Sequence, residues 1–403
     1  MIYPRELESW WLAAACRSTD CDDHVVALQC LEAAAAGLSD QFTIERPLAF
    51  KDYTGSPVLL AAYGILFFPQ TFARVSIALR ECLAAHAIST ADSRSLPISD
   101  SFRVLDLGSG AGASSLAVMT GLRRPLSLHA VDHAPAALAA LQSIFSDCRQ
   151  LWPAATLTTH VRDVRTDGLP GTFDLILASF VMNELFAEHE SQRADNWLRQ
   201  QLDRLAPGGC LIVLEPAGAA TCERLQRMRD KLACNDNFSL VAPCPHRLPC
   251  PMRAAKTGFC HDVRRWCVPE SVNLINRRLF RSVHDLKYGM LVVRRAPIDS
   301  IPESAENQET ETKNQECHPP PATIMRLVAP VYRIKGRILM QGCCSDGSLR
   351  AIEWPTRHLT REQLDTLMAK ERGDILPLGH VRLLGDGKTW RVENFIGNSG
   401  RQE

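Results

Sequence analysis

The sequence predicts an α/β chain: a doubly wound sheet, preceded by a helical region and followed by a small, mostly-β module. Three observations carry this. Between Phe102 and Leu214, short β-rich runs alternate with helical stretches, which is the rhythm of a parallel sheet covered on both faces. Before residue 101 the chain is alanine-rich and lacks that alternation. Beyond an acidic stretch that begins near residue 298, strand-like alternation resumes. The length of 403 residues accommodates two to three units at ~100–200 residues each.

In chain order, Trp10–Ala15, Val25–Leu28 and Leu31–Ala36 are runs of good helix formers. A second helical block extends from about Pro57 to His86 with a break expected at Pro69, and polar Ser89–Ser101 reads as a linker. Residues 1–100 are therefore a helical region. In residues 101–297 the strands fall at Val104–Leu107, Leu126–Val131, Thr156–Val161, Leu175–Ala178 and Leu211–Leu214, with Met290–Val293 as a late strand. Pro207-Gly208-Gly209 ends a helix and turns into the fifth of these. Residues 298–323 hold six acids against Lys313 and end in Pro319-Pro320-Pro321, the composition of a flexible linker. The module at 324–403 opens with Val331–Ile334, Arg337–Met340 and Leu349–Trp354 as strands. No internal repeat is visible.

Lys plus Arg number 45 and so do Asp plus Glu, which excludes a uniformly basic protein but not a local basic face. Hydrophobic residues make up 46% of the chain, too many for wholesale disorder. The first eight residues place acids where a secretory leader needs a basic and then an apolar run. The longest apolar stretch, Val58–Phe68, falls short of the ~20 residues of a membrane helix. The expectation is a soluble protein with no membrane association in a reducing compartment. There, 15 cysteines serve as metal ligands or free thiols more readily than as disulfides.

Val104-Leu105-Asp106-Leu107-Gly108-Ser109-Gly110-Ala111-Gly112 follows a strand and opens a helix. Glycine at Gly108, Gly110 and Gly112 lets the backbone turn tightly and approach a ligand. No Lys-Ser/Thr follows, which excludes a P-loop. With Asp106 inside it, the run resembles motif I of class I S-adenosylmethionine-dependent methyltransferases. Asp132 ends the next strand, twenty residues after Gly112, where a carboxylate accepts ribose hydroxyls. Asp163, after the third strand, resembles the residue that meets adenine in that fold. The other reading is a doubly wound domain without cofactor, with Asp132 a helix cap. The catalytic half is less marked. The fourth strand ends in Ser179-Phe180-Val181-Met182-Asn183-Glu184, with neither the Asn/Asp-Pro-Pro-aromatic motif of base-amino methyltransferases nor a nucleophilic cysteine. Asn183 and Glu184 are candidates to line a pocket or simply to close the strand.

Cys244, Cys250, Cys260 and Cys267 fall within 24 residues, and prolines flank the first two. Thiolates suit Zn²⁺ or an iron–sulfur cluster, and the absence of CxxC knuckles favours the cluster over a zinc ribbon. His246 and His261 read as supporting residues rather than ligands.

Cys244-Pro245-His246 with Cys250-Pro251, followed by Phe259-Cys260-His261, resembles the methyltransferase-like family associated with the small ribosomal subunit, whose members occur in mitochondria and bacteria. Tyr53–Leu79, Glu215-Pro216 with Arg224 and Arg229, Gly342-Cys343-Cys344-Ser345-Asp346-Gly347 and Ala369–Asp374 resemble its further motifs, so the likeness covers most of the chain. It implies a [4Fe–4S] cluster on Cys244, Cys250, Cys260 and Cys343, with Cys344 and Cys267 as competitors for the fourth place and Zn²⁺ as the alternative metal. Asp262 departs from the family's usual Trp-Cys-His-Phe, which bears on packing after the third ligand.

Residues 221–297 carry fifteen Lys and Arg against six acids. Arg264, Arg265, Arg277, Arg278 and Arg281 are candidate phosphate contacts, and the family resemblance implies ribosomal RNA as the partner. The reading is a small-subunit assembly or maturation factor that binds S-adenosylmethionine and is monomeric away from the ribosome. It resides in the bacterial cytoplasm, with the mitochondrial matrix as the alternative. An active rRNA methyltransferase is the alternative function. A cluster-dependent redox enzyme ranks third, for want of the CxxxCxxC of radical enzymes.

Overall fold

The structure, a computed structural model, describes residues 2–42, 53–88, 101–166, 169–255, 258–281, 283–297 and 323–393. The polar linker at 89–100 and nearly all of the acidic one, at 298–322, lie outside them.

The N-terminal region comprises helices α1 (Arg5–Thr19), α2 (His24–Cys30), α3 (Glu32–Asp40), α4 (Pro57–Leu66) and α5 (Phe68–Ala84). Asp23 caps α2 by accepting from the amides of Val25 (2.7 Å) and Val26 (3.0 Å). Pro57 starts α4 at a position where its missing N–H is no loss. The predicted break falls at Phe67, and Pro69 occupies the first turn of α5 for the same reason. Gly64 lets α1 lie close on α4, since a Cβ there would come within 1.9 Å of the Trp11 ring.

Next come β1 (Phe102–Leu107), α6 (Ala113–Leu122), β2 (Leu126–Asp132), α7 (Pro135–Asp147), β3 (Ala155–Val161), β4 (Phe173–Ser179), α8 (Met182–Leu185) and α9 (Ser191–Asp203). They are followed by β5 (Leu205–Pro216), α10 (Ala219–Ala233), β6 (Phe238–Ala242), α11 (Pro251–Ala255), β7 (Asp262–Arg265), α12 (Glu270–Arg278) and β8 (Asp285–Arg295). The sheet order is β3-β2-β1-β4-β5-β8-β6, and β7 also pairs with β8. Strands β1 to β5 are parallel; β8 runs antiparallel to its neighbours. One reversed strand at this place in a doubly wound sheet is the class I methyltransferase-like arrangement. The later part of β1 and nearly all of β4 are buried, and both strands are mainly apolar because helices cover both faces. One of those faces shares a continuous core with the N-terminal helices: Leu7, Trp11, Phe68, Phe72 and Leu79 pack in one cluster with Leu116, Leu128 and Ile212.

Strands β6 and β7 lie end to end along the same edge of β8, with Leu240 beside Val293 and Arg264 beside Leu286. The cysteine-rich segment is the excursion between them. Neither strand was evident in the sequence, because both are short and neighbour prolines, cysteines and arginines. Pro207-Gly208-Gly209 lies within β5 and does not end a helix.

The C-terminal module contains β9 (Thr323–Leu327), β10 (Tyr332–Ile334), β11 (Arg337–Cys344), β12 (Leu349–Pro355), α13 (Arg361–Met368), β13 (Ile375–Leu378), β14 (Val381–Leu383) and β15 (Thr389–Val392). Its sheet order is β13-β9-β11-β12-β15-β14, with β10 on β11, around a core of Met325, Leu327, Ile338, Met340, Ile352 and Trp354.

A buried ionic knot ties this module to the rest. Arg326 of β9, 2% exposed, pairs with Asp262 of β7 and reaches Glu81 of α5 at 3.7 Å. Arg264 of β7 contacts Asp262 (3.3 Å), Glu81 (3.1 Å) and Asp374 (2.5 Å). The backbone of residues 371–374 fills the seam: Val263 N donates to Arg372 O (3.0 Å) and Gly373 N to Leu327 O (2.7 Å). Gly373, at φ +104°, leaves room for Asp262; a Cβ there would stand 2.6 Å from that carboxylate. Asp262 is thus the carboxylate that receives Arg326.

Among the described residues no single helix is long and apolar enough to cross a membrane; α4 and α5, bent by 42° between them, pass that test only as a pair.

Removing one partner of a buried ion pair leaves an uncompensated charge and costs about 3–5 kcal/mol. Asp262→Ala is therefore expected to lower the unfolding free energy measured by denaturant titration by that amount and to raise hydrogen exchange in β9. Wild-type exchange in β9 would contradict the docking role.

Candidate cofactor cleft and cysteine cavity

The carboxyl ends of β1, β2 and β4 form the first site. Gly108, Gly110 and Gly112 have φ of 66°, 52° and 89°. A Cβ on Gly108 would meet Val181 at 2.4 Å and one on Gly112 would meet Leu141 at 2.2 Å, so the loop admits only glycine there. Asp132 ties the loop down: its carboxylate accepts from Gly110 N (2.8 Å) and Ala134 N (2.9 Å). His133 Nδ1 also lies 3.3 Å from Asp132 Oδ1; a carboxylate has about four acceptor sites, so capacity remains for a ligand hydroxyl. Asp106 points inward to α6, accepting from Ser115 Oγ (2.6 Å), while its other oxygen is buried without a partner. Burial pushes its carboxyl up to about 7. Asp163 is exposed beyond β3 and accepts from Arg165 N (2.8 Å), closing a turn.

Two tyrosines outside the predicted site residues cover this cleft. Tyr53 and Tyr63 stack with centroids 4.4 Å apart, and the Tyr53 hydroxyl lies 3.1 Å from where a Gly110 Cβ would be. Their signal was present as a pair ten residues apart around Pro57, the start of α4. Glu184 opens into the same recess. Its side chain keeps solvent-exposed surface, while the surrounding protein and the nearby Asp132 push its carboxyl up. Phe180, at the end of β4, is held at φ 61° with the Arg74 guanidinium 5.3 Å from its ring.

Asn183 faces the other way; with its amide nitrogen turned to that side it donates to Phe180 O (2.9 Å) and Glu215 Oε2 (3.3 Å). Glu215, fully buried, also accepts from Met182 N (3.0 Å). Arg224 donates to Met182 O (3.1 Å), Phe186 O (2.9 Å) and Ala187 O (2.9 Å). The Glu-Pro…Arg block is thus a brace for the turn that presents Glu184.

The second site lies where β6, β7, α10 and β11 converge. Cys244, Cys250, Cys260 and Cys343 line one cavity together with Gln226, Arg229 and Arg326. On β11, Cys343 faces this cavity while its neighbour Cys344 packs into the C-terminal core. Cys267 is exposed on the surface. Three sulfurs have nitrogen neighbours: Gln226 Nε2 donates to Cys250 Sγ (3.3 Å), Arg229 Nε donates to Cys244 Sγ (3.2 Å), and His246 Nε2 lies 3.2 Å from Cys343 Sγ. Burial pushes the Cys260 thiol up to about 12 and raises those of Cys244 and Cys343. Arg229, 2% exposed, also donates to the carbonyls of His246 and Leu248 in the middle of the Cys244–Cys250 loop, and Gly347 after β11 packs on Leu248. Among the described residues no group of three or more His, Cys, Asp and Glu side chains is arranged to hold a single metal ion.

The expected basic face is only partly available. Arg264 is corrected: it is buried and engages three carboxylates, so it does not reach a phosphate. Arg278 and Arg281 are about a third exposed and pair with Glu32 (3.9 Å) and Asp40 (2.5 Å). Arg265 lies 3.8 Å from Glu371 at the surface, and Arg277 is exposed.

A family profile described as "Mitochondrial small ribosomal subunit Rsm22" matches residues 58–361, most of the chain. The chain belongs to the Rsm22 family. The Rsm22-cox11 tandem protein 2, mitochondrial, of Schizosaccharomyces pombe is 24% identical over 298 residues, which take in 68% of this chain and 38% of that relative. Among solved structures, the N-methyltransferase NodS of Bradyrhizobium japonicum with S-adenosyl-L-homocysteine has a TM-score of 0.34 at 17% identity, covering 63% of this chain and 97% of NodS. A putative class I S-adenosylmethionine-dependent methyltransferase of Listeria monocytogenes scores 0.36 at 13% identity, covering 75% and 90%. The fold assignment rests on strand order and the reversed strand.

Burial pushes Glu215 up to about 8, against an ordinary glutamate near 4.3. As pH rises through that window the unfolded chain loses this proton first, so its contribution to stability falls until the folded carboxyl also ionises. The thermal midpoint of Rsm22-family wild-type chain is expected to decline between pH 6 and 8.5, and Glu215→Gln is expected to flatten the slope. An unchanged slope would remove Glu215 from the account.

Proposed function

We propose that this Rsm22-family chain is an assembly or maturation factor of the small ribosomal subunit that binds S-adenosylmethionine, holds a structural [4Fe–4S] cluster and contacts ribosomal RNA. The observation that carries the reading is the cysteine cavity, built jointly by the sheet domain and the C-terminal module. Four thiols suit a four-iron cluster, in which each thiolate binds a different iron, better than they suit one Zn²⁺. Arg229 and Arg326 offset the negative charge of such a ligand set, and the nitrogens beside three sulfurs are of the kind that tune cluster potential. When bound, the cluster supplies cross-linking between the two parts of the chain; the residues themselves position the thiols and exclude water.

The cofactor cleft fits S-adenosylmethionine in its glycine-only loop, the free acceptor capacity of Asp132 and the orphaned oxygen of Asp106, which suits a ligand ammonium. The bound cofactor would supply an electrophilic methyl group. The compartment is reducing, and the mitochondrial name of the relative favours the matrix over the bacterial cytoplasm.

A second reading, active methyl transfer, has one observation in its favour: Glu184 opens into the cleft, where the surrounding protein and Asp132 push its carboxyl up, in the direction a general base requires. Calorimetry with S-adenosylhomocysteine is expected to show binding by the wild type and a loss of tenfold or more with Asp132→Ala. Glu184→Gln is expected to keep that binding; loss of methyl incorporation into rRNA in that variant alone would establish the enzyme reading. In sedimentation with small ribosomal subunits, Cys250→Ser is expected to stay in the supernatant while wild type pellets. Equal pelleting would count against a role for the cluster in docking.

A further inference from the structure

Phe280 combines two features that each work against folding. It is 98% exposed, the most open large apolar side chain among the described residues. It also sits at φ 52°, in the left-handed region. The residue occupies the position just past the end of α12, where Phe280 N donates to Arg277 O (3.3 Å) and Arg281 N reaches back to Asn276 O (2.9 Å). That closing pattern prefers glycine, with asparagine next. A bulky aromatic there is strained, and at 98% exposed it buries almost none of its ring.

Described residues on either side of it are anchored. Leu279 packs into the main core, and Trp266 Nε1 donates to Val283 O (2.8 Å) just beyond. Arg278 and Arg281 lean on Glu32 and Asp40. These are surface pairs of small net strength, so the guanidiniums can exchange carboxylates for phosphates. Arg277 stands exposed beside them, and no acid lies between Glu270 and Asp285.

We propose that Phe280 is a stacking platform for an unpaired RNA base, with Arg277, Arg278 and Arg281 taking the flanking phosphates. The combination of an aromatic face and clustered arginines is what sequence-tolerant recognition of single-stranded RNA uses. This deepens the RNA reading above and rests on it. Strain at a fully exposed aromatic is then the trade of stability for binding seen at functional sites.

The test uses the full chain and two fluorescent probes of equal length, a single-stranded oligoribonucleotide and a perfect RNA duplex. Phe280→Gly is expected to raise the thermal midpoint by about 1–3 °C, because glycine relieves the backbone. The same variant is expected to weaken single-strand affinity by roughly 5- to 100-fold and duplex affinity by less than twofold, while Phe280→Trp retains both. Wild-type affinity of Phe280→Gly for the single strand would overturn the platform and leave the RNA reading intact. Failure of the wild type to bind either probe would overturn both. Unchanged RNA affinity in Phe280→Gly, with lost association to intact subunits, would assign the tip to a protein pocket and overturn the proposal.

Discussion

The pairing of Arg326 with Asp262, supported by Glu81, is the interaction on which the arrangement of this chain depends. A guanidinium 2% exposed cannot stand without its carboxylates. Those carboxylates come from α5 and β7, whereas the arginine comes from β9, beyond the segment at 298–322. The pairing therefore fixes where the C-terminal module sits against both the helical region and the sheet. Since β11 is a neighbour of β9 in that module, the same docking brings Cys343 to Cys244, Cys250 and Cys260. Arg326 lines that cavity as well, so one side chain serves both the seam and the cysteine site.

The sheet was legible because its strands are apolar runs between helices, and burial on both faces enforces that composition. The reversed strand β8 was legible as Met290–Val293 for the same reason. Strands β6 and β7 were not, since four or five residues beside prolines and arginines carry no alternation of their own. They are strands because β8 offers them an edge. The helical region appeared as a separate unit in the sequence, yet Leu79 and Phe72 share their core with Leu116 and Leu128. Composition cannot report which core an apolar helix enters.

The sites divide in the same way. Glycines in the left-handed region and a carboxylate at a strand end leave local marks, so Gly108, Gly110, Gly112 and Asp132 could be named from sequence. Tyr53, Tyr63 and the brace of Glu215 and Arg224 act through contacts distant in the chain and left only a pattern without a role. The resemblance points to Cys343 with Cys344 as a competitor; on β11 the alternation of a strand turns Cys343 to the cavity and Cys344 to the core. Arg264 misled because a run of arginines looks alike whether it faces phosphate or a buried carboxylate.

The cavity, the ionic seam and the module docking form one construction, with the cluster proposed as its final cross-link. Iron and acid-labile sulfide counts on the full chain purified without oxygen test that claim most directly, with each of the four cysteines replaced in turn by serine. The account predicts four irons and four sulfides per chain in the wild type, and loss of both when Cys343 is changed but not when Cys344 is. An iron-free or zinc-containing wild-type chain, or equal iron content in the Cys343→Ser chain, would contradict it.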